Sequence, residues 1–425
     1  MLRPAAEHIL RFRWPEVHNV TNWNNAALVA LGLALGEERF VEAALEGPVG
    51  LAAELAEGVR ADGLWWEISL SYHYYTLAAL VWTMRALGAA GRPFEGDETV
   101  RRMFRAPIDL AFPDLSLPAL EDCWYFIALT GAVGHGIPDA AGFYETAYAR
   151  YRDPEFAWVL EANYSARPRA SLEALLDGAG RIEGARAPSF ASAVLPQSGL
   201  AAVRAGGGSS RLLLRAGPDG GVHGHPDQLA LQLFAAGTRL VVDLGTAGYG
   251  IELNDDWYRQ SASHATVLLD GVSQPPATGR VELVRSGDDF ELVRGEVGWR
   301  EGPYAGVSSR RALLACGSYF IDYFEVVAPE PRTIDWVLGV RGGIVEGLEA
   351  SRPRATPLEG ACGYSRLASL QELDGAVARR LTWQVDGARL DLHLPGAPAE
   401  ELITASAPGN PAADRLALAI RRRRA

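Results

Sequence analysis

The chain has 425 residues, enough for two or three domains, and 48% of them are hydrophobic, enough to fill their cores. A formal net charge of -12 argues against a nucleic-acid binder, which presents a basic field. Every basic residue is arginine, which excludes a catalytic lysine, a Schiff base and a P-loop but leaves guanidinium forks for carboxylates.

The N-terminal stretch Met1-Leu2-Arg3-Pro4-Ala5-Ala6-Glu7 has no signal-peptide core. Taken as it stands, that implies a cytoplasmic protein; a sequence starting inside a longer chain leaves periplasm or secretion open. No apolar run is long and clean enough to span a membrane. Residues 1 to 175 read as helices: Asn25 to Leu35, Val49 to Val59, Tyr72 to Leu87, Leu120 to Val133 and Gly142 to Tyr151 carry Leu, Ala and aromatics at helical spacing. Several are apolar on more than one face, as in a larger helical assembly. Residues 176 to 188 read as a linker. From Ser189 the pattern changes to short alternating runs with glycine turns. These are Arg211 to Arg215, Leu229 to Phe234, Arg239 to Asp243, Ala265 to Leu269, Val281 to Val284, Phe290 to Val293, Tyr319 to Val327, Ile334 to Val340 and Ala388 to Leu394. Helices followed by strands predict two separate domains, 1–175 and 189–425. Arg421 to Arg424 reads as a solvated, frayed tail. Cys123, Cys316 and Cys362 are too scattered for a disulfide framework or a cysteine zinc site and read as free thiols.

The chemistry concentrates in Val222-His223-Gly224-His225-Pro226-Asp227, Val242-Asp243 and Ser263-His264, which hold three of the eight histidines. His225, Asp243 and His264 are ligand types that bind zinc. The metal-free alternative is that they hydrogen-bond one another. His223 lies two residues before His225. In an extended segment both would share one face, so that one holds a metal while the other reaches a substrate.

Three stretches together resemble the heparinase II/III-like family of polysaccharide lyases, which includes oligo-alginate lyases. They are Thr21-Asn22-Trp23-Asn24-Asn25-Ala26-Ala27, then Asp62-Gly63-Leu64-Trp65-Trp66-Glu67-Ile68-Ser69-Leu70-Ser71-Tyr72-His73-Tyr74-Tyr75, and His223-Gly224-His225-Pro226-Asp227 with its continuation to Val242-Asp243-Leu244-Gly245 and Ser263-His264-Ala265-Thr266-Val267. The third is the specific one. The resemblance implies an N-terminal α/α toroid, here shortened, followed by an antiparallel β-sandwich. It also implies β-elimination on an acidic polysaccharide or oligosaccharide, with no nucleic-acid or membrane partner; a homodimer is compatible with it.

By the same resemblance Asn22 neutralises the substrate carboxylate, Tyr72 is the acid–base tyrosine and His223 a catalytic histidine. His225, Asp243 and His264 then hold a structural Zn2+. His73, Glu67, Trp66, Tyr75, Tyr249, Tyr258 and Arg259 are the expected substrate contacts. Trp23 stands where some family members have a histidine, so no base comes from that position. Each residue also has a plainer reading: Asn22 as a helix cap, Tyr72, Tyr74 and Tyr75 as core aromatics, His223 as a partner of the metal site, Glu67 as a carboxylate holding the helix. Two further functions stay open, a uronate C5-epimerase on the same scaffold and a non-catalytic glycan-binding protein.

Overall fold

A computed structural model describes residues 1–287 and 289–425 and divides into two compact units. The first comprises residues 1–111, 115–117 and 126–189; the second comprises 112–114, 118–125 and 190–425. Residues 176–188, read as a linker, pack within the first unit. Arg85 Nε holds Asp177 Oδ2 at 2.7 Å, and the Tyr148 hydroxyl donates to Glu183 O at 3.0 Å.

The first unit is helical. Its elements are α1 (Leu2–Phe12), α2 (Asn19–Leu35), α3 (Glu38–Leu45), α4 (Leu51–Ala53), α5 (Leu70–Ala89), α6 (Asp97–Leu110), α7 (Ala140–Tyr151), α8 (Pro154–Tyr164) and α9 (Leu172–Leu176). Helix α2 stops at Gly36, whose φ of 66° is the left-handed conformation that glycine supplies without strain. Helix α5 buries residues on all sides, among them Leu70, Tyr74, Leu77, Leu80 and Met84, as its uniform apolarity requires. The helix expected over Val49 to Val59 is broken: α4 passes into a wider π-type turn at Glu54–Gly58, which carries Glu54 inward. The helix expected over Leu120 to Val133 is absent; that segment is irregular and its first part, through Tyr125, belongs to the second unit.

The second unit is built of antiparallel sheets. Its strands are β1 (Ala193–Leu195), β2 (Leu200–Ala205), β3 (Ser210–Arg215), β4 (Ala230–Ala235), β5 (Thr238–Val241), β6 (Val267–Leu269), β7 (Arg280–Ser286), β8 (Phe290–Gly298), β9 (Ser308–Cys316), β10 (Tyr319–Val327), β11 (Thr333–Arg341), β12 (Gly343–Glu346), β13 (Arg352–Pro353), β14 (Ala368–Asp374), β15 (Arg379–Val385), β16 (Ala388–Leu394), β17 (Glu400–Pro408) and β18 (Arg415–Arg424). The large sheet runs β1-β2-β3-β4-β5-β11-β18-β17-β14-β13, with β6 also on β11. A second sheet, β10-β9-β8-β7, packs on the β1 and β2 end of the large one. Val203, Leu212 and Leu214 from one side and Val293 and Leu313 from the other fill that interface. A third sheet, β12-β15-β16, completes the unit, and Trp383 donates its indole N–H to Ala417 O at 3.1 Å.

The C-terminal arginines are not a frayed tail. Arg421 to Arg424 pair with β11 on one edge, and Arg421 to Arg423 with β17 on the other. Arg422 makes two 2.8 Å bonds to Asp335, whose carboxylate is fully buried and also accepts the Tyr364 hydroxyl at 2.6 Å. A strand of arginines is stable here because a buried acid and Glu400 face it. Replacing Arg422 with alanine leaves Asp335 charged and under-satisfied, so unfolding free energy should fall by about 1–3 kcal/mol. A denaturant melt of the variant against the wild type measures it. An unchanged midpoint would show the pair to be inert.

Candidate functional site

The polar centre of the second unit is assembled by a segment without regular structure, Pro118 to Tyr125. Its backbone reaches two loops at once. Asp122 N donates to His223 O at 3.2 Å, and Cys123 O accepts from Thr246 N at 2.9 Å. The second approach explains Gly245: a Cβ there would lie 2.1 Å from Cys123 O, and its φ is +57°.

Glu121 and Asp122 enter this centre fully or nearly buried. Asp122 divides its carboxylate between two imidazoles, with Oδ2 3.0 Å from His223 Nδ1 and Oδ1 3.1 Å from His225 Nε2. Arg259 stands 3.9 Å from the same carboxylate and ties Val222 O and Gly224 O at 2.8 and 3.2 Å. Burial works against the charged form of Asp122. The hydrogen bonds from His223 and His225 more than offset it and hold the carboxyl well below the usual range. The Tyr249 hydroxyl lies 2.8 Å from His223 Nδ1, on a turn flanked by Gly248 and Gly250 at positive φ. Tyr249 is 63% exposed, so the row Asp122, His223, Tyr249 runs from the interior to the surface.

Beneath it, His225, Asp243 and His264 bring one ligand atom each to within 4.8 Å of one another. The rings of His225 and His264 are 5.5 Å apart. Mutual hydrogen bonding does not account for them. His225 Nδ1 and both ring nitrogens of His264 are buried without a hydrogen-bond partner, although His264 Nδ1 is 3.2 Å from Asp243 Oδ2. Buried polar atoms left in this way call for an ion or a water. Glu121, Asp122, Asp227 and Asp243 are buried carboxylates, faced by the guanidiniums of Arg215 and Arg259. Burial works against a charged His264 imidazole, but Asp243 beside it more than offsets this and raises it above its usual range. Burial pushes the Asp227 carboxyl well above its usual range in spite of Arg215.

In the helical unit the first signature is a ladder of asparagines along α2. Asn19, Asn22 and Asn25 recur every third residue on the buried face. Asn19 Nδ2 donates to both oxygens of Glu67, Asn25 Nδ2 to Val49 O, and Asn22 Nδ2 to Glu54 Oε2 at 2.7 Å. Trp65 Nε1 completes Glu67 at 2.6 Å, so Glu67 is fully buried and holds the start of α2. His73 is also fully buried. It accepts from Trp65 N at 3.2 Å through Nδ1, and its Nε2 lies 3.0 Å from Met103 O. Burial pushes the His73 imidazole down to about 4, so it is neutral. A substrate contact from Glu67 or His73 would require these bonds to break. Tyr72 and Tyr75 are half-buried, with Tyr75 5.4 Å from the Trp23 ring, and Trp66 is half-buried. Tyr258 is fully buried with its hydroxyl on Gly409 O, which removes it from any surface.

His223 and His225 come from a short 3-10 turn and the loop after it, not from a strand, so a shared face is not what brings them together. Asp122 does that. Glu121, Asp122 and Glu54 are the residues that pattern reading passed over. The only local signal for Glu121 and Asp122 is that they are two adjacent acids within the apolar run Leu117 to Tyr125.

Residues 5–130 match the family described as Heparinase II/III N-terminus, and residues 187–356 match Heparinase II/III-like, C-terminal. A heparin-sulfate lyase of Pedobacter heparinus is 27% identical over 280 residues, covering 62% of this chain and 37% of that protein. An exo-oligoalginate lyase of Saccharophagus degradans is 23% identical over 384 residues, covering 78% and 49%. The chain therefore spans less than half the length of these two relatives. Among solved structures, a heparan sulfate lyase mutant from Pedobacter heparinus superposes with a TM-score of 0.67 at 17% identity, over all of this chain and 60% of that one. A heparinase III does so at 0.64 and 16%, over 99% and 63%. Helices followed by large antiparallel sheets, as described above, are the arrangement these structures share.

Asp122 is the residue whose loss should be felt first. An asparagine offers one carbonyl and one amide, so one of the two imidazoles loses its acceptor. Asp122→Asn should cost about 1–3 kcal/mol of stability, read as a drop of several degrees in Tm. A variant that melts like the wild type would show that His223 and His225 do not depend on this carboxylate.

Proposed function

Because the chain belongs to the heparinase II/III-like polysaccharide lyase family, we propose that it cleaves uronic-acid-containing glycans by β-elimination. The observation that carries this reading is the Asp122–His223–Tyr249 row, which delivers a buried carboxylate's influence to a proton-transfer group near an exposed tyrosine. With its Nδ1 proton on Asp122, His223 has its basic lone pair on Nε2.

In this reaction a base removes the proton from C5, beside the uronate carboxylate. The released electron pair forms the C4–C5 double bond. The C4–O bond breaks, and the leaving glycosidic oxygen takes a proton. The C5 proton is acidic enough only when the carboxylate charge is quenched. We assign that neutralisation to Asn22, proton donation to Tyr72, and proton abstraction to His223 or to Tyr72 acting twice. Tyr249 and Arg259, beside His223, are the substrate contacts of the sandwich unit; Trp66 and Tyr75 are those of the helical unit. His225, Asp243 and His264 would hold a zinc ion, whose contribution is structural: positive charge that ties three loops together. His225 suits this, because Asp122 occupies Nε2 and leaves Nδ1 as the ligand atom, the arrangement in which a carboxylate orients a metal-bound imidazole. The acidic net charge favours a uronide without dense sulfation, such as an alginate oligosaccharide or an unsulfated glycosaminoglycan.

Incubation with alginate, heparan, chondroitin and hyaluronan should give ultraviolet absorbance from the unsaturated product with at least one of them. Proton exchange at C5 without that absorbance would make the chain an epimerase; binding with neither would make it a glycan-binding protein. On the active substrate, Tyr72→Phe should lower kcat by at least about a hundredfold with an unchanged melting curve. Near-normal turnover would remove Tyr72 from the mechanism.

A further inference from the structure

The role given to Asn22 meets a difficulty in its own hydrogen bonds. Asn22 Nδ2 donates to Glu54 Oε2 at 2.7 Å and to His18 O at 3.3 Å, so both amide hydrogens are used. Asn22 Oδ1 has no partner among the described residues. In this orientation the amide offers an acceptor, and an acceptor repels a carboxylate. Neutralising a uronate requires the opposite end.

Glu54 controls which end is offered. The wide turn after α4 brings it to the start of α2, a helix with no acid of its own in the first turn. It is fully buried, and its Oε1 accepts from His18 N at 3.3 Å. The groups around it are few. Arg13 is turned to Asn25 Oδ1 and Ala43 O, at 3.0 and 2.9 Å. Glu57, on the same turn, adds negative charge, and Glu67 is taken by Asn19 and Trp65. His18 Nε2 lies 3.9 Å from Glu67. Among the described residues no cation forms an ion pair with Glu54.

Resting on the proposed role of Asn22, we infer that Glu54 is a positioning residue that sets the Asn22 amide. When ionised it accepts from Nδ2 and leaves Oδ1 outward; when protonated it donates to Oδ1 and turns Nδ2 outward, toward a substrate carboxylate. The turn exchanges the two ends of a planar amide of nearly constant shape and costs one long bond to His18 O. It requires a proton on Glu54, because otherwise two acceptors would face each other. Burial, opposed by the bonds from His18 and Asn22, pushes the Glu54 carboxyl up to about 8, so the proton is present at neutral pH.

The test is the pH profile of kcat/KM for the wild type and Glu54→Gln on the uronide that the screen identifies. Wild-type activity should fall through pH 8, to roughly a tenth of its plateau by pH 9. Glutamine donates to Asn22 Oδ1 at every pH and should abolish that fall. The same fall in E54Q overturns the inference, as does an E54Q inactive at every pH with wild-type melting. A second measurement needs no substrate and no Glu54 variant. With 15N-asparagine labelling, the Asn22 amide resonance, assigned by its loss in Asn22→Ser, should shift with one midpoint near pH 8; a flat trace overturns the inference. Melting temperatures add the sign: Glu54 is stabilising below its unfolded value and loses that contribution as pH rises through 8, so the wild type should lose stability relative to E54Q between about pH 5 and 9. If no uronide is cleaved, the lyase reading fails, while the resonance and the melting curves still decide on Glu54.

Discussion

Asp122 is the group on which the second unit's polar centre depends. A carboxylate taken out of water is costly unless its lone pairs are filled, and here two imidazoles fill them, with the Arg259 guanidinium adding positive charge 3.9 Å away. The arrangement does three things at once. It fixes the ring of His223, it leaves His225 Nδ1 buried without a hydrogen-bond partner, and it stitches an irregular segment to the loops around His223 and Gly245. Glu121 supports it from the next position. Its carboxylate takes the backbone N–H of His225 and the guanidinium of Arg215, which also pairs with Asp227 at 2.9 Å. The concentration of buried acidic groups around the histidine pair is thus a built feature.

The helical unit uses the same economy with neutral groups. Its asparagine ladder satisfies two buried carboxyl groups, Glu54 and Glu67, at the N-terminal turn of α2. The plain reading of Asn22 as a helix cap is not what the geometry shows: His18 is the capping residue, its Nδ1 accepting from Val20 N at 3.2 Å. Asn22 lies within the first turn, where its side chain is free of the capping task and tied to a titratable neighbour instead.

Much of this was legible in the sequence. Helices α2, α5 and α7, and strands such as β3, β10, β11 and β16, fall close to where apolar periodicity put them. The grouping of His225, Asp243 and His264 was visible because its members are chemically distinctive. What escaped detection has a common physical cause. Leu120 to Val133 has a helix-like composition but is held open by bonds from Asp122 and Cys123 to residues about a hundred positions away. Arg421 to Arg424 looks solvated until Asp335 and Glu400 are placed opposite it. Glu54 sits in a segment with good helical spacing, and only the π-type turn shows that it points inward. In each case long-range charge or hydrogen bonding overrides a local pattern, which local propensity cannot register.

The central proposal for the second unit is that His225, Asp243 and His264 hold a divalent cation. Anomalous diffraction across the zinc absorption edge, on crystals of protein purified without chelator, tests it. The account predicts one peak per chain, about 2.0–2.2 Å from His225 Nδ1, an Asp243 oxygen and a His264 nitrogen, with Asp122 still on His225 Nε2. Absence of a peak, with His225 Nδ1 and His264 hydrogen-bonded to Asp243 or to water, would contradict it.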